Sequence, residues 1–246
     1  VRDLAAAIAT PHEPFIKLGV RRDGEYLQLN ANKLQIENEF YSSVRPKRVA
    51  LSGERPTSAL RRGGVEYVEL RALDLSPFDP AGIGQSEQKF LEAFILYCVL
   101  EDSPPIHPAE QSSLEQNHLD VALRGRQPGL KLMRNNTPVL LTNWAREICT
   151  AMRPVCELLD NGPEDGYMDA LEQQIRVIDF PALTPSARLL DELRDSQASF
   201  ADYGLVMANT YRDYFCGLAE ELNTHQPLLV REAAESLQRQ KELEAS

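Results

Sequence analysis

Glu69 and Arg71 stand two residues apart in VEYVELRAL (65–73). In an extended segment, side chains at that spacing leave the same face about 7 Å apart at their roots. Period-two alternation puts Val65, Tyr67, Glu69, Arg71 and Leu73 on one face, and the apolar Val68, Leu70 and Ala72, with Glu66, on the other. A carboxylate beside a guanidinium on a sheet surface suits a divalent metal and a phosphate. The same alternation also describes an antiparallel strand whose outer face is merely solvated. The segment KLQIENEFY (33–41) reads as a partner strand, with Gln35, Glu37, Glu39 and Tyr41 on a wet face and Leu34, Ile36 and Phe40 opposite. Joining the two are a basic loop with RPKR (45–48), a single helical turn near 52–64, and a Gly63-Gly64 turn. By charge alone, Lys47 and Arg48 in that loop are candidate phosphate neighbours.

Two such strands need a support on their dry side. Ser86 and Glu87 start a helix whose stripe of Phe90, Leu91, Phe94, Ile95, Cys98 and Val99 is apolar, and it is expected to pack against the sheet's dry face. Upstream, VRDLAAAIATP reads as the tail of an amphipathic helix with Val1, Leu4, Ala5 and Ile8 on one side. Asp23-Gly24 marks a tight hairpin turn. After the proline-rich SPPIHP (103–108), helical patterns occupy about 110–124, 143–160 with a kink at Pro154, 165–179, 186–196, 199–222 and 227–243. The last is charged nearly all round and reads as a solvated helix. The fold class is α+β, with a sheet-bearing segment at 1–84 and a helical region at 85–246 that packs on the sheet.

A chain of 246 residues with 43% apolar and 26% charged residues has an ordinary globular composition. Its net charge of -11 repels phosphate backbones and anionic membranes, so nucleic-acid and membrane partners are not expected. No apolar run approaches the length of a membrane span, and a cytosolic setting is the expectation. Cys98, Cys149, Cys156 and Cys216 lack paired metal spacing and are expected as buried, reduced thiols. His12, His107, His118 and His225 form no ligand pair.

Four blocks carry a resemblance: LQIENEFYSSVRPKR (34–48), GGVEYVELRALDLSPF (63–78), RGRQPGLKL (124–132) and LTPSARLL (183–190). In this order and at these separations they resemble the glutamate-cysteine ligase family of proteobacterial type. The resemblance implies part of an antiparallel sheet like that of glutamine synthetase. It also implies ATP-dependent joining of the γ-carboxyl of glutamate to the amine of cysteine through γ-glutamyl phosphate, the first step of glutathione biosynthesis.

Carried over residue by residue, the resemblance makes Glu69 a magnesium ligand, Arg71 a catalytic and ATP-binding guanidinium, and Tyr41 a residue of the cysteine pocket. Glu37, Asn38 and Glu39 receive no role. Members of the family carry about as much sequence again before the first block, with further metal-binding glutamates. The chain therefore reads as a C-terminal half that needs an N-terminal half for activity. Two other readings stand beside it: a non-catalytic lobe that binds or stabilises a partner subunit, and a ligase of the same fold with another amine acceptor.

Overall fold

The computed structural model describes residues 2–162, 166–221 and 226–245. Val1 and His225, both named above, lie outside the described residues. The chain divides into two compact units, Val1–Asp74 and Leu75–Ser246.

The first unit opens with helices α1 (Arg2–Ala9) and α2 (Glu13–Leu18), followed by strands β1 (Arg21–Arg22) and β2 (Glu25–Tyr26). Asp23 and Gly24 turn β1 into β2 with φ of 53° and 89°, the double positive φ that a two-residue hairpin of matching twist requires. Then the structure departs from expectation. Residues 33–41 are not a strand: Glu37–Glu39 form a 3-10 turn. The acids that looked like a wet strand face bind backbone instead. Glu39 Oε2 accepts from the N–H of Gln35 at 2.7 Å, a local bond that competes with a sheet ladder.

The partner strand lies further on, in the stretch read as a basic loop. Strand β3 (Val44–Lys47) precedes helix α3 (Pro56–Gly63), which is two turns rather than one, and strand β4 (Tyr67–Leu70) follows. β3 and β4 pair antiparallel, with Val44 opposite Leu70, Arg45 opposite Glu69, Pro46 opposite Val68 and Lys47 opposite Tyr67. Pro46 donates no ladder hydrogen bond, which suits a two-stranded sheet where both strands are edges. The greased reverse face is not buried either, for Val68 remains 46% exposed.

The second unit contains α4 (Gln85–Leu100), α5 (Pro108–Arg124), the hairpin β5 (Lys131–Arg134) and β6 (Thr137–Leu140), then α6 (Leu141–Leu159) and α7 (Tyr167–Asp179). Helices α8 (Pro185–Ser196), α9 (Phe200–Glu221) and α10 (Gln226–Glu244) complete it. Helix α4 finds its apolar partners in α6 and α7: Ala93, Cys149, Met152, Cys156 and Leu171 form a buried cluster, flanked by Phe90, Phe94, Tyr97 and Ile148. Cys149, Met152 and Cys156 are spaced to share one helix face, and each large apolar side chain buried there contributes about 1.5–3 kcal/mol before entropy is counted.

Cys98 and Cys216 are exposed rather than buried, and all four thiols are free. Asn117 ties α5 to the hairpin, donating to the carbonyl of Met133 at 2.7 Å and accepting from its N–H at 2.8 Å. Every described residue of α10 is exposed, in keeping with a solvated helix. Helices with small antiparallel sheets make the fold α+β. No helix among the described residues is long and apolar enough to cross a membrane.

Candidate active site

The antiparallel register decides which charges meet. Arg45 lies directly opposite Glu69, yet it is the diagonal neighbour Lys47 whose Nζ reaches Glu69 Oε2, at 3.0 Å. Long side chains on diagonal positions of a pair are within reach of one another. On the other side, Arg71 Nε donates to Glu69 Oε1 at 2.5 Å. Past the end of β4 the ladder continues, since the N–H of Arg71 donates to the carbonyl of Ser43 at 2.7 Å, and this keeps Glu69 and Arg71 on one face. The Glu69 carboxylate thus bridges two cations. With side chains 30%, 31% and 40% exposed for Lys47, Glu69 and Arg71, the triad is half-open to water.

The Arg71 guanidinium, and after it the Lys47 ammonium, hold the Glu69 carboxyl below the usual glutamate range, because each hydrogen-bonds the charged form. Arg71 uses Nε for this contact, and its terminal nitrogens make no hydrogen bond among the described residues. Those terminal nitrogens are what a guanidinium offers to a phosphate or carboxylate. Tyr41 joins the group through the backbone: its hydroxyl donates to the carbonyl of Arg71 at 3.2 Å, while the side chain is 68% exposed.

Arg48 is held elsewhere. Its Nε donates to the carbonyl of Gly64 at 2.7 Å, a terminal nitrogen donates to that of Gly63, and the other lies 3.6 Å from Glu66 Oε2. It caps the C-terminus of α3, where carbonyls lack partners and a cation is favoured. A Cβ on Gly63 would stand 2.5 Å from Arg48 Cζ, so glycine makes room for the cap. Within α3, Arg62 grips Glu54 by two hydrogen bonds of 2.9 Å, and this holds the Glu54 carboxyl down at about 2.

The sequence left Glu37 without a role, and the structure supplies one. Its carboxylate accepts from the Thr57 N–H at 2.9 Å and the Thr57 hydroxyl at 2.7 Å. Helix α3 begins Arg55-Pro56-Thr57, and Arg55 at the N-cap makes no side-chain cap bond. A first-turn N–H then needs an acceptor from elsewhere in the chain. A proline at the helix start with no Ser, Thr, Asp or Asn before it was the available signal.

Magnesium fits these residues only in part. Glu69 is an ionised oxygen donor of the right hardness. Among the described residues, however, no group of three or more His, Cys, Asp or Glu side chains is placed to hold a metal ion. A complete metal site is not built here.

Residues 1–121 match the profile of the glutamate-cysteine ligase family. A glutamate-cysteine ligase of Pseudomonas fluorescens is 42% identical over 243 residues, covering 98% of this chain and 45% of the relative. One of Azotobacter vinelandii is 50% identical over 204 residues, covering 82% and 38%. Among solved structures, the glutamate-cysteine ligase of Francisella tularensis in complex with AMP superposes with a TM-score of 0.78 at 34% identity, over 87% of this chain and 42% of that one. The chain spans less than half the length of these relatives. Through a profile over its first 121 residues, relatives 42–50% identical, and a shared fold, the chain belongs to the glutamate-cysteine ligase family.

Proposed function

We propose that this chain is the C-terminal portion of a cytoplasmic, ATP-dependent ligase that joins the γ-carboxyl of glutamate to the amine of cysteine, giving γ-glutamylcysteine for glutathione synthesis. The observation that carries this reading is the Lys47–Glu69–Arg71 triad, an ionised carboxylate between two cations with the guanidinium's outer nitrogens open. A carboxylate is a poor electrophile and must be activated before an amine can attack it. In the proposed reaction the γ-carboxylate oxygen attacks the terminal phosphorus of ATP and ADP leaves. The cysteine amine then attacks the acyl carbon, and phosphate departs with the carboxyl oxygen. Both steps crowd negative oxygens together, and fixed cations lower the barrier by meeting that charge as it develops.

Arg71 takes this role in the proposed reaction, a reading supported by its two unengaged terminal nitrogens, which can fork onto a phosphate or acyl phosphate. Glu69 fixes the Arg71 side chain by accepting from Nε, and it offers one oxygen ligand to magnesium. The other ligands belong to the part of the ligase that this chain does not span. Lys47 is the second cation toward the phosphates, and Tyr41 stands beside Arg71 toward the incoming cysteine. Arg48 serves the same region indirectly, by closing α3.

By itself this chain turns over nothing. Mixing it with the remaining portion of a ligase such as that of Pseudomonas fluorescens, and assaying ATP-dependent dipeptide formation, is expected to give activity that Glu69→Ala abolishes. Activity from this chain unassisted, or unchanged activity in Glu69→Ala, would overturn the reading. In the latter case, a lobe that only binds a partner subunit becomes the better account. A panel of amines in place of cysteine separates a ligase with another acceptor.

A further inference from the structure

Helix α6 ends at Leu159, and the chain runs on through Asp160, Asn161 and Gly162. Asn161 is the only asparagine of the sequence that is followed by glycine. Both residues of the pair are exposed. The Asn161 N–H donates to the Leu159 carbonyl at 3.0 Å. Among the described residues, neither the Asn161 carboxamide nor the Gly162 N–H makes a hydrogen bond. An amide carbon and the backbone nitrogen that follows it are therefore adjacent and unengaged. Glycine favours their approach, because it has no side chain in the way and its backbone reaches conformations that other residues avoid.

The preceding residue, by contrast, is fixed. Asp160 Oδ1 accepts from the Tyr167 N–H at 2.7 Å, and Oδ2 accepts from the Met168 N–H at 2.8 Å. These are the first two amides of α7, and Gly166 at the N-cap has no side chain to serve them. Amides at a helix start need acceptors from outside the helix. Asp160 thus ties the end of α6 to the start of α7. Both helices feed the buried cluster, α6 with Cys149, Met152 and Cys156 and α7 with Leu171.

We propose that Asn161 is a site of spontaneous covalent modification, at which the backbone closes on the carboxamide and the junction of α6 with α7 is altered. The Gly162 nitrogen bonds to Asn161 Cγ, the Cγ–Nδ2 bond breaks, and ammonia leaves with the proton that Gly162 gives up. Water then opens the resulting succinimide. Opening at Cγ gives aspartate, and opening at the main-chain carbonyl gives isoaspartate, in which the chain runs through the former side chain. Neither step needs an oxidant, a reductant or a cofactor. Aspartate adds a charge next to the residue that caps α7, and negative charge near a helix start is favoured. Isoaspartate instead inserts a methylene into the main chain directly after Asp160, and this draws the Asp160 carboxylate off Tyr167 and Met168. The inference stands apart from the ligase reading, because it uses no residue of the triad and no other part of a ligase.

The test is incubation of the purified chain in mildly alkaline buffer, followed at intervals by peptide mass spectrometry and by enzymatic methylation of isoaspartate. Acid is expected to replace amide at Asn161 ahead of every other asparagine. Asn161→Gln is expected to abolish the signal, and Gly162→Ala to slow it about tenfold or more. In the isoaspartyl chain, the Tyr167 and Met168 amides should exchange about tenfold faster with solvent. Asn161→Asp, which brings the charge without the methylene, should keep their protection. Glu69→Ala is expected to leave the rate unchanged, so that a failure of the ligase reading and a failure of this one are told apart. Conversion at Asn161 no faster than at the exposed Asn135 and Asn209, an undiminished rate in Gly162→Ala, or full protection of Tyr167 and Met168 in the isoaspartyl chain would each overturn the proposal.

Discussion

Glu37→Ala removes the one acceptor that serves both the Thr57 N–H and the Thr57 hydroxyl. Thr57 is only 6% exposed, so water cannot fully replace the lost carboxylate. A hydrogen bond to a charged group contributes about 1.5–3 kcal/mol. Because Glu37 itself is half-buried, the lower end applies to each of the two bonds. The first turn of α3 therefore loosens by about 3 kcal/mol, which is about a hundredfold in its opening equilibrium.

Amide hydrogen exchange reads this directly: Thr57 and the following amides of Pro56–Gly63 should exchange about a hundredfold faster. Thr57→Val is the internal control, because it deletes the hydroxyl bond and keeps the N–H bond. Its effect should be about half as large in free energy. Glu39→Ala should leave α3 protection unchanged, since Glu39 serves Gln35 and Ile36. If Glu37→Ala accelerates exchange in α3 by less than about threefold, or no more than Glu39→Ala does, the assignment of Glu37 as the acceptor that starts α3 is wrong.

Three further outcomes follow from other parts of the molecule. Met152→Ala, at a fully buried position between α4, α6 and α7, should lower the unfolding free energy of the second unit by about 2–5 kcal/mol in denaturant titration. In a carbon-detected pH titration, Glu69 and Glu54 should both titrate below the ordinary glutamate range, Glu54 near 2. Both folded pKa values are depressed, so the ion pairs stabilise the fold fully above the unfolded pKa and release it as pH falls through the folded values. A Glu69 midpoint at or above the ordinary value would contradict its place between Lys47 and Arg71. Gly63→Ala should push the Arg48 guanidinium off the α3 carbonyls, destabilising that end of the helix by about 1 kcal/mol, and Arg48→Met in the same background should add little.

How much of this could be read from the residues depends on the range of the force involved. The Asp23-Gly24 hairpin and the helices from 85 onward follow from local turn chemistry and from stripes at helical spacing, and both are present. The hairpin at Lys131–Arg134 and Thr137–Leu140 went unseen. Its strands are four residues each, and its Asn135-Asn136 turn, with φ of 50° and 60°, is a weaker signal than a glycine pair. The segment 33–41 misled for a physical reason: an acid at every second position reads as a wet strand face, but Glu37 and Glu39 bind Thr57 and Gln35, and only the first of those partners is distant in sequence. In the candidate site, the Glu69–Arg71 contact was legible because it is a two-residue spacing. The closure by Lys47 was not, since it needs the register that places Lys47 opposite Tyr67.

The first unit also explains why activity is proposed for an assembled ligase and not for this chain. Among the described residues of Val1–Asp74, the only buried apolar side chain is Ala59, whereas Tyr26, Leu29, Val49 and Leu51 are 66–70% exposed. What holds the unit is a set of polar struts between distant segments. Gln28 donates to the carbonyls of Phe15 and Gly19 at 2.7 and 3.0 Å, Asn32 to that of Ile8 at 2.7 Å, and Glu37 fixes Thr57. Each such bond contributes about 1 kcal/mol net, and a lone two-stranded sheet is marginal in water. Electrostatic catalysis requires cations that do not reorganise as charge develops. A triad displayed on so thinly supported a ladder meets that requirement better once the exposed apolar surface of the unit is covered, which is the structural task the proposal assigns to the rest of the ligase.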